Sequence, residues 1–155
     1  MTPAVDAARK AGIAFTTHTY VHEPGVSSYG LEAAEKLGVA PEQIFKTLVA
    51  SLDGKRLAVG IVPVERRLGL KQIARAAGAK KAAMAAPEEV ERATGYVLGG
   101  VSPLGQKKRL PTFIDASAEA LGAIYVSAGR RGLDIALAPA DLAALTAADF
   151  VPLAV

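Results

Sequence analysis

The residues of this sequence that could do chemistry fall in four short runs. In Ile44-Phe45-Lys46-Thr47-Leu48-Val49 a lysine interrupts an otherwise apolar strand pattern. On a surface strand it would be a solvated charge. In a cleft it would be a cation able to hold a carbonyl or phosphate, or to stabilise developing negative charge. A second run, Gly99-Gly100-Val101-Ser102-Pro103-Leu104-Gly105, leads into Gln106-Lys107-Lys108-Arg109. Adjacent glycines let backbone come close to a ligand and leave N–H groups free to point at it. Three consecutive cations beside them suit a phosphate-bearing partner. The plain alternative is a tight turn with a solvated basic shoulder, because a glycine-rich loop is a weak motif.

The third run is Ser127-Ala128-Gly129-Arg130-Arg131-Gly132-Leu133-Asp134, in which an acid enters a strand. Asp134 could pair with Arg130 or Arg131 at the surface, or face a pocket and hold an ammonium group by a charge-assisted contact. The fourth is His18-Thr19-Tyr20-Val21-His22. Period two puts both histidines and Tyr20 on one strand face, but no third ligand is near and His-Glu-x-x-His is absent, so no metal is expected. The chain has no cysteine, which removes disulfides, thiolate metal sites and a protein thiol nucleophile. Ser102 or Ser127 could formally join a Ser-His-Asp triad, yet no Gly-x-Ser-x-Gly elbow exists. Asp115 and the Glu88-Glu89 pair read as structural acids, the pair favouring a helix start.

The wording of these runs resembles the YbaK-type aminoacyl-tRNA deacylases, which clear cysteine mischarged onto proline tRNA. Gly-Gly-Val-Ser-Pro-Leu-Gly-Gln-Lys-Lys-Arg-Leu-Pro is similar to their signature loop. Met1-Thr-Pro-Ala-Val5, Phe45-Lys-Thr-Leu48, Gly78-Ala-Lys-Lys81 and Gly129-Arg-Arg-Gly-Leu-Asp-Ile135 follow the family in order, from Thr2 to about Asp141. The resemblance implies that Lys46 is the principal functional lysine, with the Gly99 and Gly100 amides around the reacting carbonyl. It places Tyr20, Thr47, Ser102, Ser127 and Asp134 against the substrate. Lys107, Lys108, Arg109, Arg130 and Arg131 would meet the tRNA, mostly through phosphates.

The implied reaction is cleavage of the ester between an amino acid and the terminal ribose of tRNA, with the substrate's own cysteine thiol as nucleophile. No cofactor is implied. The partners are the acceptor end of proline tRNA and, for selectivity, prolyl-tRNA synthetase; the protein itself would be a monomer. An alanyl-tRNA(Pro) hydrolase using a water, a non-catalytic module docking on synthetase or RNA, and a small nucleotide binder are the rival readings. The region from Val21 to Gly30 matches the family least clearly, and pocket walls could come from it.

The elements that must position these residues can be read from pattern. Thr2-Pro3 opens a capped helix ending at Gly12. Phe15 to Tyr20 alternates as a strand, Tyr29 to Leu37 has helical spacing, and Pro41 opens a short turn. Phe45–Leu52 and Leu57–Pro63 form a hairpin around Asp53-Gly54. Leu70–Ala77, Pro87–Gly95 and Pro139–Leu145 read as helices. Strands are expected at 80–84, 112–115, 124–127, 133–138 and 150–153, and the stretch from Tyr96 also starts like a strand. The expected fold is α+β: one domain, residues 1–155, with a mixed, mostly antiparallel, barrel-like sheet of about six strands flanked by short helices.

Composition agrees. The 155 residues are 51% hydrophobic but only 5% aromatic, so the core must be aliphatic. A net charge of +3 permits an RNA partner without demanding one. No stretch is apolar enough to span a membrane and the first residues lack a signal-peptide pattern, so a soluble cytoplasmic protein is expected.

Overall fold

The computed structural model describes residues 1–25 and 28–155, with the side chain of Tyr29 left aside. Helix α1 spans Pro3–Ala11: the Thr2 hydroxyl accepts the Val5 N–H at 3.2 Å, proline occupies the first turn, and Gly12 ends the helix in the left-handed region. Strand β1 (Phe15–Thr19) and helix α2 (Tyr29–Leu37) follow, then a 3₁₀ turn at Pro41–Gln43. Strands β2 (Phe45–Leu52) and β3 (Arg56–Pro63) pair along their whole length. Asp53 and Gly54 between them have φ of 54° and 66°, the two left-handed residues that a tight hairpin turn requires. The remaining elements are α3 (Leu70–Ala76), β4 (Ala82–Met84), α4 (Pro87–Thr94), β5 (Thr112–Asp115), a 3₁₀ turn at Ala116–Ala120, β6 (Ile124–Arg130), β7 (Leu133–Leu137), α5 (Pro139–Thr146) and β8 (Asp149–Val151).

The strands form two sheets, β4-β2-β3-β5-β8 and β1-β7-β6. Pairing is antiparallel except where β5 lies between β3 and β8, both parallel to it. The expected α+β class with a mixed, mostly antiparallel sheet therefore holds, with eight strands among the described residues where about six were expected. The barrel does not close: among the described residues one parallel bridge, Ile44 to Tyr125, joins the two sheets. The main aliphatic core fills the space between them under α1, α4 and α5, with Val59, Ile61, Ile114, Val126, Leu133 and Ile135 fully buried. A second core packs the other face of β2, β3 and β5 against Ile73 of α3 and Leu153.

One expected element is absent. Tyr96 does not start a strand: its segment pairs with neither sheet and is held by side chains instead. The Tyr96 ring is buried and its hydroxyl donates to the Leu104 carbonyl at 2.7 Å, while its N–H donates to the Thr94 hydroxyl. Residues 96–111 thus form a long loop folded onto the body. At its tip Gly105 lies so close to α1 that a Cβ there would stand 2.5 Å from the Pro3 carbonyl oxygen. The loop is pinned at both points. No helix among the described residues is long and apolar enough to cross a membrane.

Candidate active site

A cavity of about 300 Å³ opens where the two sheets diverge. Its floor is the first half of β2, from Phe45 to Leu48, which lies beyond the reach of β4, since β4 pairs only with Ala50–Leu52. The walls are Tyr20 at the end of β1, Ser127 and Asp134 on β6 and β7, and Leu98, Gly99 and Val101 of the long loop. Ala33 of α2, with Ile44 and Val64, closes the apolar side. Lys46, Thr47, Tyr20, Ser127, Asp134 and Gly99 thus come together from five separate segments.

The polar groups of this cavity are poorly satisfied by the protein itself. Asp134 is only 6% exposed, and among the described residues it has no ion pair or hydrogen-bond donor for its side chain. Its place opposite Ser127 and His18 on the middle strand β7 keeps it away from Arg130 and Arg131, so the surface pairing does not form. Burial raises its carboxyl pKa to about 7. Burial also lowers the Lys46 ammonium pKa, helped by the positive charge of Arg67. The Tyr20 phenol is pushed up to about 12, first by burial and then by the Asp134 charge, so it stays neutral and can donate. The Thr47 hydroxyl is buried without a partner among the described residues. A pocket holding an acid, a cation and an idle hydroxyl is built for a ligand that supplies the missing contacts.

The glycine pair divides its work. Gly99 lines the cavity with φ of 89°, and its N–H, like that of Val101, has no acceptor among the described residues. Gly100 is set back. Its N–H donates to the Val97 carbonyl at 3.0 Å, and a Cβ there would lie 2.8 Å from the Arg130 Cα. Its role is to let the loop lie against the β6–β7 turn, where the Arg131 guanidinium donates to the Leu98 carbonyl. The geometry therefore pairs Gly99 with Val101, not with Gly100, as the free N–H groups at the cavity.

Ser102 also departs from expectation. It is fully buried outside the cavity, its hydroxyl accepting the Leu104 N–H and its carbonyl accepting the Gln106 amide. Ser127 stays in the wall, its hydroxyl accepting the Gly129 N–H at the irregular step of β6. His18 lies opposite Asp134 of β7, on the sheet face that Asp134 and Ser127 share, whereas β1 stops at Thr19 and His22 turns away to bond Glu32 of α2 at 2.6 Å. His18 bonds Thr16 and packs against Tyr125. No cluster of three or more metal-ligating side chains occurs among the described residues.

The basic residues fall into two groups. Arg130 and Arg131 sit on the turn against the glycine loop, at the cavity rim. Lys107 and Lys108 donate their N–H groups to the last carbonyls of α4, a favourable place for cations, and Lys108 and Arg109 face other hollows. Sequence reading missed Val101, which lies inside the glycine loop, Leu98 just before it, and Arg67, whose charge acts on Lys46. It also missed Ala33 and Val64, whose only signal was apolarity.

Comparison with known proteins identifies the family. The aminoacyl-tRNA editing domain family matches residues 23–145. The chain is 43% identical over 117 residues to "Putative Cys-tRNA(Pro)/Cys-tRNA(Cys) deacylase EbsC" of Enterococcus faecalis, an alignment covering 76% of this chain and 71% of that protein. It is 32% identical over 115 residues to a proline–tRNA ligase of Acidithiobacillus ferrooxidans, covering 74% of this chain and 20% of the ligase. A solved structure described as "a putative trans-editing enzyme for prolyl tRNA synthetase" superposes with a TM-score of 0.84 at 27% identity, over 99% of this chain and 95% of that one. The chain belongs to the aminoacyl-tRNA editing domain family, the YbaK-type family that its glycine loop resembles.

Proposed function

We propose that this protein is a trans-editing deacylase that removes cysteine from mischarged proline tRNA. The observation that carries this reading is one cavity holding Asp134 without a partner, Lys46 partly desolvated, and the free N–H groups of Gly99 and Val101. An aminoacyl ester offers a complement to each. Its α-ammonium would meet ionised Asp134 and the Tyr20 phenol. Its carbonyl oxygen, negative in the tetrahedral intermediate, would lie against the Gly99 and Val101 amides. Lys46 would hold the ribose or the adjoining phosphate and fix the ester in place, and Thr47 would bond the same end.

The lining supports a substrate-supplied nucleophile. Neither histidine borders the cavity, and the Ser127 hydroxyl is bonded to the Gly129 N–H. A cysteine thiol has an ordinary pKa near 8.5 and is intrinsically nucleophilic. Its sulfur would attack the ester carbonyl carbon of the same aminoacyl group, forming the S–C bond as the C–O bond to ribose breaks. The thiol proton goes to the departing ribose oxygen, and a cyclic thioester leaves. Such chemical selection exceeds what a small apolar wall can give, since one methylene separates side chains by only about 1–3 kcal/mol.

Deacylation of Cys-tRNA(Pro), Ala-tRNA(Pro) and Ser-tRNA by the purified protein tests this reading. Loss of cysteine alone is expected. Loss of alanine instead would make the protein an alanyl-tRNA hydrolase with a water nucleophile, and loss of none would leave a binding module. On the proposed reading the protein acts as a monomer in the cytoplasm and meets prolyl-tRNA synthetase for tRNA selectivity.

A further inference from the structure

Six cations line two adjoining hollows at the end of the β2–β3 hairpin far from the cavity. One hollow is bordered by Lys55, Lys80 and Lys81, the other by Lys55, Arg56, Arg92 and Lys108, so Lys55 joins them. Their only acids are Asp53 and Glu89. This gives a local balance of +4 in a chain whose total is +3. Asp53 is moreover committed, accepting the N–H groups of Lys80 and Lys81 at 3.1 and 2.8 Å. Arg56 donates to the Ala77 carbonyl, whereas the side chains of Lys55, Lys80, Lys81, Arg92 and Lys108 are exposed and make no hydrogen bond or ion pair among the described residues. So many cations against two acids give the belt a positive field that favours a polyanion.

The belt lies at a defined distance from the chemistry. Lys46 and Leu52 are six residues apart on one continuous strand, which at a rise of ~3.3 Å per residue is ~20 Å. None of the exposed large apolar side chains borders either hollow. A protein-docking surface would carry an apolar centre depleted in lysine; cations on long stems without one match phosphates.

We propose that this belt binds the backbone phosphates of the double-helical part of the substrate RNA, while the cavity holds its aminoacylated single-stranded end. The proposal rests on the reading of the substrate as aminoacyl-tRNA. Contacts of this kind read helix shape and charge, not base sequence, so they anchor the tRNA whatever its identity.

Binding of a fluorescent RNA hairpin with a single-stranded 3′ tail, and of the tail alone, tests it over a series of salt concentrations. The wild type is compared with Lys55→Ala/Arg92→Ala and with a control of equal charge change, Arg9→Ala/Lys10→Ala. The belt variant is expected to bind the hairpin about tenfold more weakly at low salt. Its log Kd–log salt slope should be smaller by about two, near one for each phosphate that the missing cations no longer neutralise. The tail alone should bind all three proteins equally. Unchanged hairpin affinity, an equal drop in the control, or no preference of the wild type for hairpin over tail would each overturn it. So would unchanged hairpin binding with failure to capture prolyl-tRNA synthetase, which would make the belt a protein-docking face. Because the readout is binding, hairpin recognition without ester cleavage would sink the deacylase reading and leave the belt standing.

Discussion

Asp115 and Asp134 are buried almost equally, 4% and 6% exposed, yet the protein treats them in opposite ways. Burial pushes the Asp115 carboxyl up, but the Ser117 hydroxyl and the Ala154, Leu153 and Ser117 N–H groups outweigh it and hold the pKa below the usual range. Those bonds, of 2.6 to 3.2 Å, tie the chain's end to β5. Asp134 has none of them, and burial alone raises it to about 7. A satisfied buried carboxylate is a structural clamp, whereas an unsatisfied one in the same cavity as a desolvated lysine fits the proposed role of holding the substrate's α-ammonium.

Four substitutions break or sharpen this contrast. The largest effect is expected from Lys46→Ala, which removes the cation that fixes the ester: kcat/KM for Cys-tRNA(Pro) should fall by about 10²–10³ with the thermal transition unmoved. Asp115→Ala should do the reverse. It strands the N–H groups of Leu153, Ala154 and Ser117, so unfolding by denaturant should show a loss of about 2–4 kcal/mol.

Asp134→Asn should separate function from stability. An acid whose folded pKa lies above its unfolded value binds more protons when folded, so wild-type stability falls as pH rises from about 4 to about 7 and is level beyond. The variant lacks that penalty. It should be more stable than wild type by about 1–4 kcal/mol at pH 8, the gap closing toward pH 4. Its deacylation should also lose the acid limb that wild-type kcat/KM is expected to show near pH 7, since only ionised Asp134 holds the α-ammonium. The smallest effect is expected from Tyr96→Phe. Losing the bond to the Leu104 carbonyl should cost about 1 kcal/mol in a melting experiment and alter the rate only a few-fold.

Most elements were legible in the sequence because their signals are local. Asp53-Gly54 fixes the hairpin turn, Thr2-Pro3 the first helix start, and the largely apolar run Phe45–Leu52 the strand that carries Lys46. Tyr96 misled because a buried aromatic followed by Val97 and Leu98 reads as a strand, whereas the Tyr96 hydroxyl is spent on the loop's own carbonyl. Within the site, Lys46 and Asp134 stood out as charges interrupting apolar strands. Which residues of the glycine loop line the cavity depended on the packing of Gly100 against the Arg130 backbone, and no local pattern encodes such an approach. Ser102 looked reactive only because a hydroxyl committed to its own turn has the same letter as a free one.

The most direct test of the proposed chemistry compares Cys-tRNA(Pro) with the same tRNA carrying 2-aminobutyrate, in which a methyl group replaces the thiol. The thiol-assisted account predicts rapid release of cysteine and release of aminobutyrate no faster than without protein. Equal rates for the two esters would contradict it, and would transfer the nucleophile's role to a water held in the cavity.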